Sequence, residues 1–117
     1  MKYDSNWKKS HNHKNRVPKP REVWFVEFPF DGEIGGKKRP GIVFREVEGR
    51  YDVVMITSSD VLSCKDFRIM DPEFAGLDHD STVRPERMCR ISVSKFDYKL
   101  GDLSEDDWEE LSEKMVL

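Results

Sequence analysis

The chain has 117 residues, 20 Lys or Arg against 23 Asp or Glu, a net charge of −3 and 37% apolar residues, which fits one globular domain and is too short for two. Its two cysteines, Cys64 and Cys89, have no CxxC spacing, which excludes a disulfide framework and a cysteine-ligated zinc site. No 18-residue apolar run is present for a membrane-spanning helix, and the first residues lack the apolar middle of a secretory signal, so a cytoplasmic protein without membrane contact is expected.

Charge is unevenly spread. Residues 1–20 carry Lys2, Lys8, Lys9, Lys14, Arg16 and Lys19 against Asp4, a net of +5, and close on two prolines. Such a polar, basic stretch cannot bury enough surface to order itself, so residues 1–20 read as a flexible tail, with Trp7 as its one large aromatic, and residues 21–117 as the domain. From Arg21 the pattern changes. In "REVWFVEFPF", Trp24, Val26 and Phe28 alternate with Val23, Phe25 and Glu27, which is strand periodicity.

Next comes "GGKKRPGIVF", residues 35–44, with Lys37, Lys38 and Arg39 in succession behind two glycines. Three adjacent like charges add nothing to a domain's own stability, so this is either a solvated hairpin tip or a seat for an anion. "PGIVFREVEGRYDVVMITS" reads as two strands turning at Glu48-Gly49-Arg50. "DFRIMD" and "TVRPERMCRISVSKF" supply further short extended runs, the second interrupted by Pro85. Short strands at close spacing predict a small β-barrel.

"LSEDDWEELSEKMVL" predicts one helix over about 104–116, making the class mainly β with a C-terminal helix (α+β). Ser104 and Asp107 stand at capping-box spacing, Leu103 and Trp108 at staple positions, and Trp108, Leu111 and Met115 form the apolar stripe. The acids at 105–107 fall in the first turn, where the helix dipole favours them, so the acidic C-terminus requires no partner.

No GxxxxGK[ST], GxGxxG, GxSxG or HExxH motif occurs, and His11, His13 and His79 form no pair at ligand spacing on a helix, so neither a cofactor nor a metal is expected. What remains is the basic loop ending in Arg39 and the cluster Thr57, Ser58 and Ser59 at the end of the third strand. A guanidinium offers a planar fork of donors and a hydroxyl adds one more, a pairing suited to phosphate.

In order along the chain, "VWFVEFPF", a Gly-rich loop into "KRPGIVF", then "VVMITSS", "AGLDHDSTVRPERMCRI" and "KLGDLSEDDWEEL" resemble the MazF/PemK family of toxin–antitoxin toxins, over about Arg21 to Leu111. The resemblance implies a small SH3-like barrel of the MazF/PemK/CcdB type, a homodimer, inhibition by a cognate antitoxin whose complex binds DNA, and metal-independent cleavage of single-stranded RNA. By position, Arg39 matches the family's catalytic arginine and Thr57 its catalytic threonine. Glu33, in the loop where some members carry an acid, and His79, as the side-chain type suited to proton exchange, are the two candidates for proton transfer. Lys37, Lys38, Ser58, Ser59 and Ser81 are expected to contact RNA. A second reading, a non-catalytic module that binds and poisons DNA gyrase, is carried by the same fold.

Overall fold

The computed structural model describes residues 17–29 and 36–116. Strand β1 (Glu22–Phe28) alternates as its sequence predicts, burying Trp24, Val26 and Phe28 on one face. β2 (Lys37–Val47) and β3 (Arg50–Thr57) form a hairpin in which Val47 pairs with Arg50, leaving Glu48 and Gly49 as a two-residue turn. Both turn residues have positive φ, +52° and +84°, the backbone of a type I′ turn and the reason glycine is suited to the second place. β4 (Phe67–Arg68) is only two residues long. β5 (Thr82–Ser92) runs through a 3-10 turn at Val93–Lys95 into β6 (Phe96–Asp102).

The six strands lie in one antiparallel sheet of order β4-β5-β3-β2-β1-β6. β4 and β6 are its two ends and do not pair with each other, so the barrel expected from the sequence is an open, curled sheet whose ladder is not closed. The two residues of β4 offer too little ladder to complete a ring. β6 lies beyond the extended runs expected from the sequence, although Phe96, Tyr98 and Leu100 alternate there with Asp97, Lys99 and Gly101.

Curling buries both faces. On one side Val23, Ile42, Val54 and Ile56 pack with Leu103 and Leu111 beneath the helix. On the other, Trp24, Val26, Phe28 and Val53 form a second core, sealed by the Phe96 ring standing edge-on to Trp24 at 5.6 Å and to Tyr51 at 5.4 Å. Helix α1 (Glu105–Val116) begins where Ser104 predicts, its hydroxyl accepting the Asp107 amide at 3.2 Å. The Asp107 carboxylate is buried and accepts the amides of Met70 and Asp71 at 2.8 and 3.1 Å and the Ser104 hydroxyl at 3.0 Å. It fastens α1 to the segment after β4 rather than completing the reciprocal box.

Of the segment read as tail, residues 1–16 lie outside the described residues, whereas Pro18 is buried and the Lys19 amide donates to Glu22 at 3.0 Å. Cys64 is exposed, Cys89 is half-buried and neither is in a disulfide. No helix among the described residues is long and apolar enough to cross a membrane.

Candidate functional site

The site forms where β2 parts from β3. Their ladder ends at Gly41 opposite Met55, beside Pro40, which has no amide proton to donate. Two residues further along each strand, Arg39 and Thr57 lie on the same face by strand alternation. Beyond that point β3 stays paired with β5, through Thr57 opposite Thr82, while β2 stays paired with β1, through Lys37 opposite Phe28. Gly36 opens β2 with φ of +68°, and a Cβ there would lie 2.3 Å from the Phe28 carbonyl oxygen. Only glycine permits that close approach.

The gap has an opening on each face of the sheet. On the Met55 side is an open groove of about 710 Å³, and on the Ile56 side a smaller cavity of about 150 Å³. Arg39 and Thr57 line both. Lys37 and Ser59 join them in the groove, while Lys38, Ser58, His79 and Ser81 join them in the cavity. The arginine and threonine singled out in the sequence therefore converge, and every other candidate within the described residues lies in one of the two spaces they share. Glu33 lies outside the described residues.

Individual geometries refine the expectations. Thr57 is buried and its Oγ1 accepts the Ser59 amide at 3.2 Å, leaving the hydroxyl proton to be donated. Ser81 is also buried, and its hydroxyl donates to the His79 carbonyl at 3.1 Å, which orders the loop it belongs to. The exposed His79 ring places Nδ1 2.7 Å from Asp78 Oδ1. Lys38 donates to Asp97 at 3.2 Å, so alternation divides the cationic run: Lys37 lines the groove and Lys38 does not.

Four charged groove residues escaped sequence reasoning: Asp66, Arg84, Glu86 and Arg87. The last two are carried outward by a bulge. Met55 pairs with Arg84, but the next residue back, Val54, pairs with Met88, so Pro85, Glu86 and Arg87 have no partners on β3. Bulges re-aim side chains and increase local twist, and Pro85 interrupting an extended run is the available signal. Arg84 and Asp66 form a buried ion pair. Burial alone would raise the Asp66 carboxyl, but the Leu62 and Ser63 amides, the Arg84 guanidinium and the Ser63 hydroxyl outweigh it and hold it below the usual carboxylate range.

Lys37, Arg39, Arg84 and Arg87 line the groove together with Asp66 and Glu86, an excess of two positive charges on a chain whose net charge is −3. Concave walls focus such a field on an anion. Among the described residues no group of three or more His, Cys, Asp or Glu could hold a metal ion.

Known proteins place the chain. Crystallographic MazF (Form-I) from Deinococcus radiodurans superposes with a TM-score of 0.70 at 19% identity, covering 86% of this chain and 94% of that one. The Mycobacterium tuberculosis toxin MazF-mt6 follows at 0.67 and 17%, covering 81% and 92%. An endoribonuclease in complex with its cognate antitoxin, from a mycobacterial species, gives 0.66 and 10%, covering 85% and 91%. No individually curated protein matches in sequence. Residues 19–117 match the model of the PemK-like, MazF-like toxins of type II toxin–antitoxin systems, and the chain belongs to that family.

Proposed function

We propose that the protein is the toxin of a type II toxin–antitoxin pair and cuts single-stranded RNA, mRNA included, without a metal or cofactor. The observation that carries this reading is the convergence of Arg39 and Thr57 on one cationic groove at the parting of β2 and β3. The RNA supplies its own nucleophile. Its 2′-oxygen forms a bond to the adjacent phosphorus, the bond from phosphorus to the 5′-oxygen breaks, and the products are a 2′,3′-cyclic phosphate and a 5′-hydroxyl. One proton leaves the 2′-hydroxyl and one reaches the departing 5′-oxygen.

The protein then contributes position and charge. The Arg39 guanidinium stabilises the negative charge that builds on the phosphorane oxygens. Thr57 donates its hydroxyl proton in a hydrogen bond to the scissile phosphate, its lone pair being held by the Ser59 amide. His79, in the cavity that shares both residues, is the described group suited to proton transfer. Lys37 neutralises a neighbouring backbone phosphate.

A cognate antitoxin, of the kind bound to the mycobacterial endoribonuclease, would cover this groove with an acidic segment. The reading includes a two-fold homodimer, which sedimentation would report as two chains. The reading places the toxin in the cytoplasm, with its mRNA substrate. The test is to incubate purified protein with single-stranded RNA in EDTA and, in parallel, with DNA gyrase. Cleavage ending in a cyclic phosphate is expected; intact RNA with inhibited gyrase would replace the nuclease by a binding module.

A further inference from the structure

The loop from Ser58 to Lys65 leaves β3 directly after Thr57 and forms a wall of the groove. It has little apolar burial to hold it, since Val61 and Leu62 are exposed. Polar ties from β4 and β5 hold it instead. The Ser59 carbonyl accepts the Thr82 hydroxyl at 2.7 Å and Arg68 at 3.3 Å. The Asp60 carbonyl accepts Arg84 Nη2 at 3.1 Å, and the Leu62 and Ser63 amides donate to Asp66 at 3.0 and 3.2 Å. Arg84 Nη1 then donates to the same Asp66 oxygen, closing the circuit. Both charges are nearly dry, with side-chain exposures of 10% for Arg84 and 3% for Asp66.

A buried ion pair is a poor device for stability alone, because a well-packed apolar pair of similar volume does as well or better. Its distinctive effect is fixed geometry, and here what it fixes begins at Thr57. The Ser59 amide that orients the Thr57 hydroxyl belongs to this loop.

We propose that Asp66 and Arg84 are positioning residues, a clasp that sets the rotamer of Thr57 and the adjoining wall of the groove for turnover. The proposal rests on the reading of Thr57 as a group that touches the scissile phosphate. Neither residue of the clasp touches the reacting atoms. Each acts through the loop.

The informative variants are Asp66→Asn, which keeps an acceptor for the Leu62 and Ser63 amides while removing the charge, and Arg84→Lys, which keeps the charge and loses the fork that serves Asp66 and Asp60 together. Two readouts are needed on the full chain: the NMR couplings that report Thr57 χ1, with amide exchange at Ser59, and kcat and KM on a single-stranded RNA oligonucleotide. In Asp66→Asn the Thr57 rotamer should average and the Ser59 amide exchange faster, while kcat falls on the order of 10- to 100-fold and KM changes far less. Arg84→Lys should fall between this variant and wild type, and it carries the same test should Asp66→Asn fail to fold. An unchanged Thr57 rotamer overturns the clasp, and so does a loosened rotamer with unchanged kcat. A wild-type protein that leaves RNA intact overturns the nuclease reading alone, and the clasp is then decided by the Thr57 couplings.

Discussion

Two buried aspartates, Asp52 and Asp66, meet arginines at opposite ends of the same part of the sheet and do different things. Asp52, near the start of β3, lies between Arg45 at 2.7 Å and Arg90 at 2.8 Å, whose side chains keep 54% and 46% of their surface in water. It joins three adjacent strands, β2, β3 and β5, and lines neither the groove nor the smaller cavity. Asp66 meets one buried arginine and two loop amides at the edge of the groove. The same pair of residue types thus secures a sheet in one place and a loop in the other. What distinguishes them is what lies on the far side of the arginine, not the strength of the ion pair.

The sharpest test of that division is at the groove. Arg39→Ala should lower RNA cleavage by about 100-fold or more, the scale of losing a preorganised charge stabiliser, with an unchanged thermal transition. A large loss of stability would mean that the groove end, too, is a structural joint.

Asp52→Ala should do the converse. It leaves two half-solvated guanidiniums unpartnered, and a loss of about 1–2 kcal/mol is expected by chemical denaturation, below the several typical of fully dry pairs. Cleavage should be unaffected, since Thr57 lies five residues along β3, about 17 Å away at strand rise. Lost activity in a folded Asp52→Ala protein would erase the distinction between the two ends.

Acid probes both aspartates together. The Arg90 hydrogen bond, aided by Arg45 and opposed by burial, holds the Asp52 carboxyl below the usual range, and Asp66 is lowered as well. Groups with depressed folded values contribute stability that is fully present above the ordinary carboxylate range and is lost as pH falls through those lowered values. Unfolding free energy should therefore drop at acid pH, and Asp52→Asn should flatten part of that drop. An identical acid profile in the variant would show that Asp52 is not among the groups that titrate on unfolding.

The smallest effect separates neighbours. Lys37→Gln should reduce the salt slope of RNA binding by about 0.7, one phosphate's worth for a single strand, and Lys38→Gln by less, because Lys38 is held by Asp97 on the other side of the strand. Equal slopes for the two variants would remove the alternation argument.

Much of this arrangement is legible in the residues. β1 shows its alternation, the Glu48-Gly49 turn its glycine, and α1 its Ser104 cap, because each is specified within a few neighbouring positions. Arg39 and Thr57 are legible as a pair from the chemistry of a guanidinium beside a hydroxyl and from the family resemblance; their common face is not, because the turn alone would set Pro40 opposite Thr57 and the irregularity between Val43 and Arg45 shifts the register by one. Arg84 and Asp66 are not: they meet across 18 positions, beside a three-residue bulge, and nothing local in "KDF" or "VRP" encodes that encounter. β6 carries a local strand alternation in Phe96, Tyr98 and Leu100, but its pairing with β1, at the other end of the domain, is not encoded there. The open ladder is equally a matter of how far the sheet curls, which no single strand records.

Asp107 has a kinetic consequence. Its carboxylate links α1 to amides 36 and 37 positions earlier, a closure expected to follow the laying of β5 and β6 beside their partners, whereas the two-residue hairpin of β2 and β3 can zip from its turn. A contact made after the barrier weighs on the unfolding rate alone. Asp107→Ala should therefore steepen the loss of native protein over time in denaturant while refolding proceeds almost as before. The lifetime of the folded state would be governed by the helix cap, and its rate of formation by the Glu48-Gly49 turn.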